Sequence, residues 1–166
     1  MIVNKTLITS GCIHLSHMQL NIRKAVPTDV KRMLELVQEL AVYEQAPDEV
    51  ENTEEMMLED GFGVNKLFDA FVAELDGEII GTAITYFRYS TWKGKCLYLE
   101  DLIISEAYRG LSAGQQLFNY CIDFGKENNC KKMIWQVLDW NKSAIDFYKK
   151  HGAHLDGEWI NGSLDF

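Results

Sequence analysis

Hydrophobic and polar positions change period several times along the chain, and each change marks an element. Gln19–Lys24 alternates apolar with polar residues, as a half-buried strand does. Pro27-Thr28-Asp29 then opens a helix whose Val30, Met33, Leu34, Val37, Leu40 and Ala41 fall on one face. A shorter helix is predicted over Thr53–Asp60, ahead of Gly61-Phe62-Gly63. Two strands follow, Phe68–Leu75 and Glu78–Tyr89. Asp76-Gly77 between them predicts a tight hairpin, because both central turn residues need positive φ. After a polar turn at 90–95, Cys96–Ser105 reads as a strand whose apolar second half predicts burial on both faces. Tyr108–Gly114 is a loop, and Gln115–Glu127 is an amphipathic helix carrying Leu117, Phe118, Cys121, Ile122 and Phe124. Met133–Leu138 completes the pattern as a strand, Asn141–Lys150 as a helix ending at Gly152, and His154–Phe166 as a short β tail. No internal repeat or low-complexity linker interrupts this order, so residues 18–166 form one mixed α/β domain. Residues 1–17 follow neither period and stand apart as a leader.

Charge narrows the partners. The 166 residues hold 16 Lys and Arg against 25 Asp and Glu, a net charge of −9. Nucleic-acid affinity rests on clustered positive charge, so a phosphate-backbone partner is not expected; a small or cationic one is. The longest uncharged stretch, between Lys5 and Arg23, is broken by Thr6, Thr9, Ser10, His14, Ser16, His17 and Gln19 and cannot form a transmembrane helix. Lys5 before a short apolar run resembles a secretory leader, but the run is weak and no disulfide-rich domain follows. Cys12, Cys96, Cys121 and Cys130 show no CxxC and no metal spacing, and His14, His17 and His151 add none. The expectation is a reduced, cytoplasmic protein with no metal and no membrane partner.

The loop from Arg109 to Gly114 sits where a buried strand hands over to a helix. Exposed backbone N–H groups beside small side chains make an anion site there, and glycine permits close approach of phosphates. The loop is neither GxxxxGK[ST] nor GxGxxG. Following Leu99-Glu100-Asp101-Leu102-Ile103-Ile104, it resembles the Arg/Gln-x-x-Gly-x-Gly/Ala pyrophosphate motif of GNAT N-acetyltransferases, with Ser112 where that family usually has glycine. Leu138-Asp139-Trp140-Asn141, Ala144, Phe147-Tyr148 and Gly152-Ala153 resemble the family's later strand and its Phe-Tyr-x-x-x-Gly helix. Tyr43-Glu44, Glu59-Asp60-Gly61-Phe62-Gly63, Tyr98-Leu99-Glu100-Asp101 and Tyr108-Arg109-Gly110 resemble the spermidine/spermine branch. Tyr89-Ser90-Thr91-Trp92-Lys93-Gly94 and the Asp139-Trp140-Asn141 run are closer to its thialysine Nε-acetyltransferase relatives, where Ser-Thr replaces Asp-Pro.

That resemblance, covering about Met18 to Trp159, implies a mostly antiparallel mixed sheet flanked by helices, acetyl-CoA as co-substrate and a homodimer. It implies that Leu102, Ile103, Ile104, Arg109, Gly110, Leu111, Ser112, Ala113, Gly114, Asn141 and Tyr148 hold the CoA, and that a β-bulge near Glu100 frees the Leu102 N–H for the thioester carbonyl.

Acetyl transfer to an amine needs a base, because an alkylamine of pKa about 10.4 is protonated at neutral pH. Glu100 is the candidate, with partial burial expected to raise its pKa. Tyr148 is the candidate acid for the departing thiolate. Trp92, Glu100, Asp101, Glu158 and Trp159 are candidates for binding the ammonium, through charge and cation–π attraction. Ser90 removes one carboxylate anchor for a long polycation and so favours a lysine-like amine over spermidine. A covalent route through Cys96 or Cys121 is the weaker alternative, since neither has an activating histidine nearby in sequence. The competing functions are polyamine acetylation and a CoA-binding module of low activity, to which Ser112 is the pointer.

Overall fold

A computed structural model describes residues 19–164, so the leader lies outside the described residues. Five strands form one sheet in the order β1-β2-β3-β4-β5: Leu20–Lys24, Asp69–Leu75, Glu78–Ser90, Gly94–Ile104 and Met133–Ile134. The first four pair antiparallel, and β5 runs parallel to β4. Asp76 and Gly77 both take positive φ, 49° and 89°, as the hairpin requires.

Four helices cover the sheet: α1 Val30–Tyr43, α2 Glu54–Phe62, α3 Ala113–Glu127 and α4 Lys142–Lys150. Helix α1 buries Val30, Met33 and Leu36. Its start is fixed by Asp29, which takes the Arg23 guanidinium at 2.6 Å while Arg23 also reaches Glu74 at 2.8 Å. Arg32 ties α1 to the sheet through the Ile79 carbonyl at 3.1 Å. Thr53 caps α2 by accepting from the Met56 N–H, with Glu54 and Glu55 in the favourable first turn. One core, built on Phe71, Leu97, Leu99, Leu117 and Phe118, lies between the sheet and α3–α4. The second joins Val30, Met33, Met57, Val72 and Ile84 beneath α1 and α2. Each strand of the sheet centre is therefore apolar on both faces, though in β4 the fully buried run is Cys96–Leu99 rather than the predicted second half.

Two sequence expectations are corrected. The strand predicted over Met133–Leu138 is only Met133–Ile134, which pairs with Leu97 and Tyr98 before the backbone leaves β4. The β tail does not form across its described residues, 154–164: with β5 so short, it meets no ladder to extend, and Gly157 and Gly162 weaken any strand there.

Candidate functional site

Where β5 ends at Ile134, residues 99–104 of β4 have no β5 partner, and that edge of the sheet is left open. A bulge sits at the same level of β4. Thr85 faces Leu99 and Ile84 faces Asp101, which leaves Glu100 as the extra residue. Ile84 belongs to the core beneath α1 and α2, so its partner Asp101 faces that side too. The bulge thus brings two adjacent carboxylates into one electrostatic neighbourhood, where a regular strand separates them.

Their environments differ, and the difference corrects the sequence reading. Glu100 stands exposed at the bulge, whereas Asp101 is half-buried. Burial, then the charges of Glu100 and Glu44, push the Asp101 carboxyl up to about 6. The burial expected to make Glu100 a stronger base falls on its neighbour instead. Glu44, at the end of α1, was missed as a site residue although Tyr43-Glu44 carried part of the resemblance. Its own carboxyl is raised by burial. Its charge acts on both Asp101 and Tyr148.

Tyr148 is 7% exposed on α4, packed on Trp135 with ring centroids 4.7 Å apart and on Phe118 at 5.5 Å. Burial, then Cys121 and Glu44, push its phenol up to about 12, so it keeps its proton throughout the neutral range. Asn141 caps α4 by accepting from the Ala144 N–H at 3.1 Å. Its side-chain oxygen also takes the Tyr43 hydroxyl at 3.2 Å. Tyr43 in turn lies under the Arg109 guanidinium, 5.0 Å from its ring centroid. The end of α1 therefore touches both loops that flank the opening. A cavity of about 320 Å³ between α1, Ile103 and Arg109 runs along that seam.

The loop itself is made of backbone. Gly110 takes φ 87° and Ser112 φ 61°, while Gly114 and Ala113 present no bulk at the start of α3. A Cβ on Gly110 meets nothing within 4 Å, so only its backbone conformation demands glycine. Ser112 occupies the N-cap position of α3 in the left-handed region, and its hydroxyl caps nothing. Leu111 and Arg109 are exposed, and Leu102, Ile103 and Ile104 line the unpartnered stretch of β4. The residues present suit an extended ligand with a phosphate-bearing end: free N–H groups at a helix start, small side chains, and an open strand edge.

One candidate does not reach this place within one chain. Trp92 projects into solvent, 85% exposed, in the β3–β4 turn. From there to Asp101 is roughly 20 Å at strand spacing. Glu158 and Trp159 lie on the irregular tail, both exposed. The covalent alternative also weakens, because burial pushes the Cys121 thiol up to about 12 and Cys96 is wholly buried with its sulfur toward the Gly94 carbonyl. Among the described residues no cluster of His, Cys, Asp and Glu suits a metal ion, and no helix is long and apolar enough to cross a membrane.

Residues 31–153 match the model of the Acetyltransferase (GNAT) family, and the chain belongs to that family of enzymes. It is 39% identical over 140 residues to thialysine N-epsilon-acetyltransferase of Bos taurus, spanning 80% of this chain and 82% of that protein. It is 36% identical over 139 residues to spermidine/spermine N(1)-acetyltransferase-like protein 1 of Homo sapiens, spanning 80% of this chain and 20% of that protein. Among solved structures, an aminoglycoside N-acetyltransferase in complex with CoA superimposes with a TM-score of 0.74 at 17% identity, covering 92% of this chain and 99% of that one. The last likeness is one of fold, and it agrees with the mixed, mostly antiparallel sheet expected from the sequence.

Proposed function

We propose that this enzyme moves an acetyl group directly from acetyl-CoA to the side-chain amine of thialysine or a similar lysine-like amino acid. The reading is supported by the bulge that sets the exposed Glu100 beside the half-buried Asp101, and by the charge of Glu44, which acts on both Asp101 and the buried phenol of Tyr148. When bound, acetyl-CoA supplies the thioester whose acetyl group is transferred. The chain's own part begins with holding it: the N–H groups of residues 110–114 face the diphosphate, and the Leu102 N–H donates to the thioester carbonyl oxygen.

The three carboxylates attract the acceptor ammonium and orient it. Asp101, assisted by Glu100, takes the ammonium's first proton; the free amine then attacks the carbonyl carbon, the carbon–sulfur bond breaks, and the second nitrogen proton passes to the departing thiolate. The raised Asp101 pKa of about 6 narrows the gap to the ammonium. A normal carboxylate near 4 leaves that gap at about six units against an amine of about 10.4. Tyr148 faces the departing sulfur. With its pKa at about 12, it supplies a hydrogen bond to the thiolate more readily than it gives up the proton itself.

The reading extends to a cytoplasmic homodimer without a resident metal. Trp92, Trp159 and Ile160 are exposed large apolar groups that a second copy can cover. Free CoA release from acetyl-CoA, measured with thialysine, lysine, spermidine, putrescine and no amine, tests it. Thialysine or lysine is expected to drive release best. Spermidine driving it best transfers the enzyme to polyamine acetylation. Folded protein that binds acetyl-CoA but releases no CoA with any amine overturns the enzyme reading in favour of a binding module.

A further inference from the structure

The chain's four arginines divide cleanly by what they touch. Arg23 and Arg32 are ion-paired and structural, joining Asp29 and Glu74 in one case and Glu35 and Glu39 in the other. Arg109 stacks on Tyr43 at the loop read above as the diphosphate site. Arg88 has no assigned task. It is exposed on β3, and among the described residues no carboxylate comes within the 4.0 Å of an ion pair.

Its position is specific. Strand alternation places Ile84, Tyr86 and Arg88 on one face of β3, opposite Asp101, Tyr98 and Cys96 of β4. Tyr86 and Tyr98 stack with centroids 5.1 Å apart and 27° between their planes. The Arg88 guanidinium folds back over the Tyr98 ring, 5.8 Å from its centroid. At the other end of this two-ring floor stand Asp101 and the bulged Glu100. The strip is thus anionic at its inner end, aromatic along its length and cationic at its outer end. Both ends act on the same two phenols: burial and then Glu100 raise Tyr86 and Tyr98, and Arg88 opposes them.

We propose that Arg88 is the carboxylate-recognising residue of the acceptor strip, so that the substrate is an amino acid held by its side-chain ammonium at Asp101 and Glu100 and by its α-carboxylate at Arg88. The proposal rests on the acetyltransferase reading above and names its acceptor class. The dimensions agree. Ile84 and Arg88 are about 13 Å apart along the strand, and the folded-back guanidinium shortens that span toward the about 7 Å separating amine and carboxyl in an extended lysine. A guanidinium laid on a ring keeps its planar fork free at the edge and already ordered, which suits a two-point grip on a carboxylate. In a chain of net charge −9, an anionic group needs such a local cation to approach. The same charge repels the second ammonium of a diamine, so Arg88 discriminates by repulsion as well as attraction.

The test pairs each amino acid with its carboxyl-free counterpart: thialysine with bis(aminoethyl) sulfide, and lysine with cadaverine. Each is assayed on the wild type, Arg88→Gln and Arg88→Lys. For the wild type, kcat/KM is expected to favour the amino acid by about tenfold or more. Arg88→Gln is expected to lose about tenfold on the amino acids, with the diamines unchanged or improved, and Arg88→Lys to fall between because it keeps charge without the fork. Equal losses on both members of each pair, or a wild type indifferent to the carboxylate, overturn the proposal. Arg88 is exposed, so unchanged thermal unfolding is expected of both variants. Should the wild type acetylate none of the four, the transfer reading fails on its own. Calorimetric binding of thialysine and bis(aminoethyl) sulfide then decides the carboxylate question: loss of a thialysine preference in Arg88→Gln supports Arg88, and equal binding removes it.

Discussion

The two sides of the sheet opening are built from different materials. The loop 109–114 presents backbone N–H groups, with Gly110 and Ser112 in left-handed conformations and no side-chain hydrogen bond from Ser112. The acceptor side presents side chains: Glu44, Glu100, Asp101 and the Tyr86–Tyr98 stack, held by a bulge. A backbone site depends on φ and ψ and tolerates changes of side-chain chemistry. A side-chain site depends on charge and burial and tolerates none. On the proposed reading the loop 109–114 holds the same kind of group in every turnover, so conformation suffices there; the proposed acceptor strip must select, and selection needs placed charge.

The largest effect separating the two sides is expected at Asp101. On the proposed mechanism Asp101→Asn removes the proton acceptor while leaving the bulge, so kcat/KM for the amine should fall about 10³-fold, in the range general bases contribute. The acid limb of the wild-type kcat/KM profile should lie near a pH of about 6, and the variant's residual activity should lack it. Stability should move the other way. Folded Asp101 titrates at about 6, while the unfolded carboxyl titrates near 3.9. The folded protein therefore binds this proton more tightly. The resulting penalty is absent at acid pH, grows as pH rises through the interval between the two values, and is complete above the folded one. At pH 8 the ligand-free variant should be about 3 kcal/mol more stable to urea than the wild type, and at pH 4 the two should agree to within about 0.5 kcal/mol. Equal stabilities at pH 8 would show that burial does not act on Asp101.

Tyr148→Phe comes next. It keeps the ring packing on Trp135 and Phe118 but deletes the hydroxyl at the opening. The rate of transfer should drop about 10²-fold while acetyl-CoA affinity changes by no more than about threefold. An unchanged rate removes Tyr148 from the chemistry.

How much of this was legible beforehand follows the same division. The helices, the Asp76-Gly77 hairpin and the first four strands stood in the sequence because period and turn chemistry are local properties. The length of β5 did not, since Trp135, Gln136 and Val137 read as strand and only the position of β4 decides where pairing stops. The loop 109–114 was readable as a motif, and its left-handed Gly110 agrees with the glycine there. The acceptor strip was readable only as residue types: which of two adjacent carboxylates is buried depends on the register of β3 against β4, which places the extra residue at Glu100. Glu44 stands 57 positions from Asp101 in sequence, so no spacing argument joins them. Trp92 carried the right chemistry for an ammonium but lies in the β3–β4 turn, 85% exposed and several residues along the strand from the bulge.

On the donor side the expected effects are smaller and purely conformational. Gly110→Ala adds a methyl that meets nothing within 4 Å, so any cost comes from φ 87° alone. A loss of about 1 kcal/mol in stability is expected, with acetyl-CoA affinity down about tenfold as the N–H groups lose their arrangement.

Ser112 gives the smallest shift and the sharpest view of the comparison. Its backbone sits at φ 61°, ψ 7°, a region that disfavours any residue with a Cβ, and its hydroxyl makes no cap hydrogen bond. Replacing it by glycine relieves about 1 kcal/mol of left-handed strain, against which the more flexible unfolded chain offsets roughly half. Ser112→Gly should therefore stabilise the ligand-free protein by about 0.5 kcal/mol. Ser112→Ala keeps the strain and loses only an unused hydroxyl, so it should change stability by no more than a few tenths of a kcal/mol. Because the N–H stays in both, acetyl-CoA affinity should hold within about twofold in Ser112→Ala and improve slightly in Ser112→Gly. Urea unfolding and calorimetry on the two variants read these directly. A large loss of affinity in Ser112→Ala alone means the hydroxyl touches the ligand, and the donor loop then belongs with the side-chain sites rather than the backbone ones.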